Sequence, residues 1–259
     1  MNDTARKPAR AEQQPRPVKG LRVQIISALI GGAGVRLAGV ALSFLVGVQL
    51  ARHLGPQEYG LYGTVLAVTS IAAVFAQLGL PQLLTREVAL SGSAAGDSRA
   101  KAALVYFHLV AGGLSVLAMG GLLCLAVLLP KNSVLPRGPI LYVSIAIIPT
   151  IALINLGVGA LRGLHRPVAA QLQDALVRPA LLAVLLWVAT LAGIHFNAYF
   201  AIVLQLASGA IALAICFAMV FSSVPATLRV APMETAIRGW VASATSIGFT
   251  DVLRMIDGQ

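Results

Sequence analysis

Charge is what this sequence has least of. Only 11% of its 259 residues are Asp, Glu, Lys or Arg, while 58% are hydrophobic. Soluble domains carry about 25% charged residues. So few charges cannot cover a surface wetted on all sides, which excludes an ordinary soluble globular chain. Cysteine is nearly absent as well. Cys124 and Cys216 each lie inside an apolar run, where they serve as small packing residues and form neither a disulfide framework nor a metal site. No other metal-ligand spacing occurs, and no carboxylates cluster beside a nucleophile. The glycines at 31–39 follow no strand, so they are not a nucleotide fingerprint. The expectation is a protein that is not an enzyme and needs no cofactor.

What remains is apolar sequence in long blocks. A helix needs about 20 apolar residues to cross a hydrocarbon core of about 30 Å. Blocks of that length predict spans at about 23–50, 59–84, 102–129, 140–161, 167–194 and 198–221. They are too long and too uniformly apolar for barrel strands. The fold class predicted is therefore all-α and integral to the bilayer, with a six-helix bundle at 22–222.

The formal net charge of +10 would suggest nucleic acid in a soluble protein. Here it has a topological meaning, and no nucleic-acid partner is expected. Lys and Arg collect on the cytoplasmic side of membrane proteins. The N-terminal tail and the second, fourth and sixth connections hold thirteen basic residues, among them Arg86, Arg99, Lys101, Arg162 and Arg166. The opposite side holds three, Arg52, Lys131 and Arg137. This predicts a multi-pass protein with a cytoplasmic N-terminus. Residues 1–21 are basic and rich in Pro and Gln, a composition that predicts a disordered tail. Residues 223–239 are expected to form a cytoplasmic connector. Residues 240–259 begin a seventh helix that the sequence does not complete, because Asp251, Arg254 and Asp257 crowd its end.

One arginine interrupts the first block. "GGAGVRLAGV" places Arg36 amid glycines. If the whole block is embedded, Arg36 lies about 20 Å from its start and faces a hydrated cavity or an anionic partner. If the embedded part starts near Ile30, it lies about 9 Å from the edge and can snorkel. Farther on, Asp174 and Arg178 are four apart and are expected to pair on one helix face, with Gln171 extending it. Gln77 and His108 are lone polar groups in apolar helices. An interhelical hydrogen bond is the plain reading of both, with proton coupling the functional alternative for His108. Asn155 and Gln205 take the same plain reading.

The most patterned stretch is "ARHLGPQEYGLYG". Gly55 and Pro56 reverse the chain, Glu58 complements the dipole of the helix that follows, and Tyr59 and Tyr62 share a face at headgroup level. Leu54-Gly55-Pro56, Tyr59-Gly60, Tyr62, then Gly79-Leu80 and Arg86 to Ala89, resemble the polysaccharide biosynthesis (O-antigen flippase-like) family. That family belongs to the multidrug/oligosaccharidyl-lipid/polysaccharide exporter superfamily. "ALRGLHRPVAAQLQDALVRPALL", from Ala160, is similar to the same family's fourth-to-fifth helix region.

The resemblance implies one lobe of a two-lobe, MATE-like transporter in the bacterial inner membrane, working with a second lobe or chain. It implies translocation of a lipid-linked oligosaccharide of the undecaprenyl-pyrophosphate type, in lipopolysaccharide or other polysaccharide biosynthesis. Arg36, Asp174, Arg178 and Gln77 are then the candidate substrate-binding residues, and His108 the candidate for proton coupling. A small-molecule exporter of the same superfamily, or a membrane-embedded glycosyltransferase or ligase, stands as the alternative.

Overall fold

A computed structural model of the chain describes residues 18–129, 138–232 and Trp240. The tail before Val18 and the end of the chain after Trp240 lie outside the described residues, as do 130–137 and 233–239. The expected seventh helix is therefore represented by Trp240 alone. Every regular element among the described residues is helical.

Five stretches are long and apolar enough to cross a bilayer, and the first, Gly32–Gln77, is 46 residues long. A straight helix of that length would extend about 69 Å, more than twice a hydrocarbon core. It is not straight. The helix α1 (Val18–Gln77) is broken at Gly55, whose φ of 72° and ψ of 173° fall where essentially only glycine is found. Pro56 follows, pre-set for a first helical turn. Twelve residues of continuous helix would separate Gly47 from Tyr59 by about 18 Å. Instead, a Cβ on Gly47 would sit 3.7 Å from the Tyr59 hydroxyl. The two arms of α1, residues 18–54 and 56–77, thus fold back on each other as a hairpin. With that break, the five stretches make six crossings of a helical membrane bundle. The first arm begins at Val18 and so reaches into the stretch expected to be tail.

The second crossing ends earlier than its hydropathy suggests. Leu78 and Gly79 both have positive φ, 40° and 72°, and Pro81 supplies no donor to continue the ladder. The chain restarts as α2 (Leu80–Ala89). The remaining crossings are α3 (Ala94–Leu128), the nearly continuous pair α4 (Pro139–Ile145) and α5 (Ile147–Gly163), the chain α6 (Pro167–Leu172) with α7 (Arg178–Leu191), and α8 (Ala198–Ser223). A short α9 (Ala226–Val230) follows.

α5 is the central element, with twelve of its 17 residues buried. Its small residues let neighbours approach closely, as apolar packing within a bilayer requires. Thr85 ties α2 to it by donating 2.9 Å bonds to both Pro81 O and Gly159 O. The core forms three clusters, centred on Phe107, Leu161 and Cys216, on Tyr62, Leu186 and Ile202, and on Ala73, Leu122 and Ile148.

The described basic residues gather at one end. Arg86, Arg99, Lys101, Arg162, Arg166 and Arg229 lie at helix termini or connections there, while Arg52 lies at the opposite, hairpin end. At the basic end Glu87 is 4% exposed and is neutralised by Arg99 at 3.5 Å. The connector is docked there. Lys101 Nζ donates to the carbonyls of Arg229 and Ala231, each at 2.8 Å. Leu228 is buried, and Trp240 packs on Tyr106 and Phe107 with ring centroids 5.8 and 5.1 Å away.

Candidate functional site: an arginine-bearing seam

Pro179 shapes this region. It lacks the N–H that would bond the Ala175 carbonyl four residues back, and its ring crowds that carbonyl. The helix answers with one wide π turn over Gln173–Val177, between α6 and α7. The freed Ala175 carbonyl points at the first arm of α1. Gly39 meets it there: a Cβ on Gly39 would overlap the Ala175 carbonyl oxygen and lie 3.1 Å from Ala175 Cβ. One turn before Ala175 and two turns before Gly39, Gln171 Nε2 donates to the carbonyl of Gly32. Gly32 and Gly39 are therefore the two contact points of a parallel seam between α1 and α6–α7.

Arg36 lies between them. At 100° per residue it sits about 40° round the axis from Gly32 and about 60° from Gly39, on the flank of the seam. It is exposed. The seam sets the helix that carries Arg36 against the segment that carries Asp174 and Arg178, and a fourth charge lies at that segment. Arg162, at the end of α5, is 3.3 Å from Asp174, and both side chains are about half exposed, at 52% and 50%.

The expected Asp174–Arg178 pair is not what forms. The ion pair of Asp174 goes to Arg162, and Arg178 makes none within 4 Å among the described residues. Asp174 still acts on Arg178 electrostatically. Asp174 is thus flanked by two guanidinium groups, Arg162 and Arg178, and Arg36 lies on the facing helix between Gly32 and Gly39. Gln173, at the start of the π turn, is fully buried and donates to Ala212 O at 2.7 Å. Its Oε1 has no partner among the described residues. Sequence reasoning missed Arg162 and Gln173, although a proline four residues after Ala175 was a signal that the helix could not continue undisturbed.

The other candidates sit on different helix pairs. Gln77 Oε1 accepts from Asn155 Nδ2 at 2.9 Å, linking α1 to α5. His108 Nδ1 lies 2.6 Å from Leu104 O of its own helix, so the expected interhelical bond is replaced by one within α3. Its Nε2 is buried without a partner among the described residues, and its ring lies 5.6 Å from that of Phe217.

The hairpin at Gly55 and Pro56 differs from expectation in two side chains. Tyr59 and Tyr62 do share a face, with ring centroids 6.4 Å apart. Tyr62, however, is buried within the bundle and donates to Gln205 Oε1 at 3.1 Å, so it is not a headgroup-level aromatic. Glu58 accepts from the backbone N–H of Ala198 at 2.6 Å. It caps α8, not the helix that carries it.

Residues 32–247 match the polysaccharide biosynthesis protein family. The chain belongs to that family. No individually curated protein and no solved structure matches it. The matched residues take in the first arm from Gly32, the second arm and the arginine seam, so the seam lies within the part of the chain shared with the polysaccharide biosynthesis proteins. The protein is accordingly a helical membrane protein of polysaccharide biosynthesis.

Proposed function

We propose that this chain forms one half of a translocator that carries a lipid-linked oligosaccharide across the bacterial inner membrane, as part of lipopolysaccharide or related polysaccharide biosynthesis. It acts by alternating access against a second lobe or chain and performs no catalysis. The basic end faces the cytoplasm, in keeping with the excess of Lys and Arg there.

The observation that carries this reading is the pairing of Arg162 with Asp174 beside Arg178, on the segment that packs against the glycines flanking Arg36. Such a cluster has cationic charge to spare. Arginine suits phosphate, since its planar fork offers two parallel donors. The client with that chemistry in a bilayer is a polyprenyl lipid bearing a phosphate or pyrophosphate, such as an undecaprenyl pyrophosphate, with the sugar attached. An organic cation would meet net repulsion at the same place.

Reconstitution of this chain together with its second lobe or chain in liposomes with a fluorescent lipid-linked oligosaccharide tests the proposal. Arg36→Ala is expected to lower the flipping rate tenfold or more while leaving the thermal unfolding midpoint nearly unchanged. A rate equal to that of the parent protein would remove Arg36 from the mechanism.

A further inference from the structure

The hairpin end contains a contact that substrate binding at the arginine seam does not use. Glu58 lies one turn past the Gly55 break, and its carboxylate bonds the Ala198 N–H, 140 residues away in sequence. Ala198 is the first residue of α8. Asn197 already caps that helix from within, accepting from Phe200 N at 2.8 Å. α8 therefore has two caps: its own Asn197 and a carboxylate supplied by the first hairpin. A carboxylate at a helix N-terminus is favoured by both the hydrogen bond and the helix dipole.

Two further contacts lie beside it. His53, just before the break, stacks on Phe196 at 4.7 Å, and Tyr62, one turn beyond Glu58, bonds Gln205. Together they join the hairpin end of α1 to the start of α8. Behind them lies the buried cluster of Val65, Leu186 and Ile202. Among the described residues, Arg52, His53 and His195 are the basic side chains around this end, and all three are exposed. Among the described residues Glu58 is the only acidic one at this end.

We propose that Glu58 is a releasable latch that closes the hairpin end of the lobe. With the carboxylate bonded to Ala198, the two arms of α1 and the head of α8 move as one body and water is kept from the Val65 cluster. Without it, Gly55 is the natural place for the arms to flex, since its backbone conformation tolerates no side chain and makes no contact with one. The Tyr62–Gln205 bond is then the next barrier inward. Neutralising the carboxylate is enough to weaken the latch, because an uncharged carbonyl loses the charge-assisted part of the bond.

The test uses the full chain in nanodiscs, where both ends are accessible. Cys124→Ser and Cys216→Ala remove the native thiols, and Val65→Cys places a near-isosteric reporter at a site that is 1% exposed. A bulky water-soluble maleimide should label this thiol slowly. In Glu58→Gln, which keeps size and an acceptor oxygen, labelling is expected to quicken about tenfold, as should deuterium uptake at the Ala198 amide. Glu58→Ala should give at least as large an effect. A second reporter at the basic end, Val88→Cys, is 0% exposed and should be unaffected. Labelling of Val65→Cys within twofold of the parent in Glu58→Gln would overturn the proposal. So would an equal rise at Val88→Cys, which would mean general loosening of the bundle.

Discussion

Gly39→Ala places one methyl group at the tightest point of the arginine seam. The added Cβ would overlap the Ala175 carbonyl oxygen and lie 3.0 Å from its carbon, and both are backbone atoms that cannot rotate aside. The helices must move apart. Overpacking of this kind costs about 1–3 kcal/mol. Replacing glycine within a helix returns up to about 1 kcal/mol of propensity, so a net loss of about 1–2 kcal/mol is expected. For a chain of this size that corresponds to a fall of roughly 2–8 °C in the unfolding midpoint. Gly34→Ala is the matched comparison, since nothing lies within 4 Å of a Cβ there. It carries the same propensity gain without the clash and should be neutral or slightly stabilising. Thermal unfolding of both variants in one detergent, followed by light scattering or intrinsic fluorescence, gives the answer. Equal stability of the two would refute the seam geometry, and with it the packing of the Arg36 helix against the segment of Asp174 and Arg178.

Two further predictions concern contacts away from the seam. A double-mutant cycle on Gln77→Leu and Asn155→Leu, read by unfolding in detergent, should give a coupling near 0.6 kcal/mol and no more than about 1.7 kcal/mol, the range for interhelical hydrogen bonds within bilayers. Lys101→Met removes the ammonium that holds the carbonyls of Arg229 and Ala231; in a Trp187→Phe background, Trp240 emission should shift to the red and become several-fold more open to acrylamide quenching, whereas unchanged quenching would mean the connector docks without it.

Hydropathy was sufficient to indicate long apolar helices, because a crossing must be apolar over about 20 residues whatever it packs against. The Gly55-Pro56 reversal was legible for a similar reason: only a few residues tolerate that backbone. What escaped were interactions between distant segments. Glu58 looks like a cap for its own helix because sequence displays local neighbours, yet its partner is 140 residues on. Tyr62 looks interfacial by type, but Gln205 gives its hydroxyl a buried acceptor. The Asp174–Arg178 pairing assumed an unbroken α-helical period. Sequence could not show Arg162 on a neighbouring helix, which takes the ion pair of Asp174. Leu78 ends the second crossing although the apolar sequence runs on, because hydropathy does not report backbone handedness.

The depth of Arg36 bears on how the lobe would meet an anionic client. Its neighbours across the seam, Gln171 and Ala175, lie four and eight residues past Pro167, where the fifth crossing begins. That places the seam about 6–12 Å from the basic end of that crossing. On the proposed reading this is the shallow position, from which a long guanidinium side chain reaches the interface. Arg36 is therefore far less costly than a charge at the bilayer centre. The same depth suits a lipid phosphate, whose charge rests at the headgroup level before any transport. On the proposed reading, the seam receives the headgroup where it already lies, with Asp174 holding Arg162 in place. The step that moves the charge inward would then belong to motion of the two halves, and not to an arginine waiting at the centre. Arg36→Ala should accordingly weaken capture at low substrate more than it slows transport at saturation. The opposite pattern would mean that Arg36 follows the phosphate across.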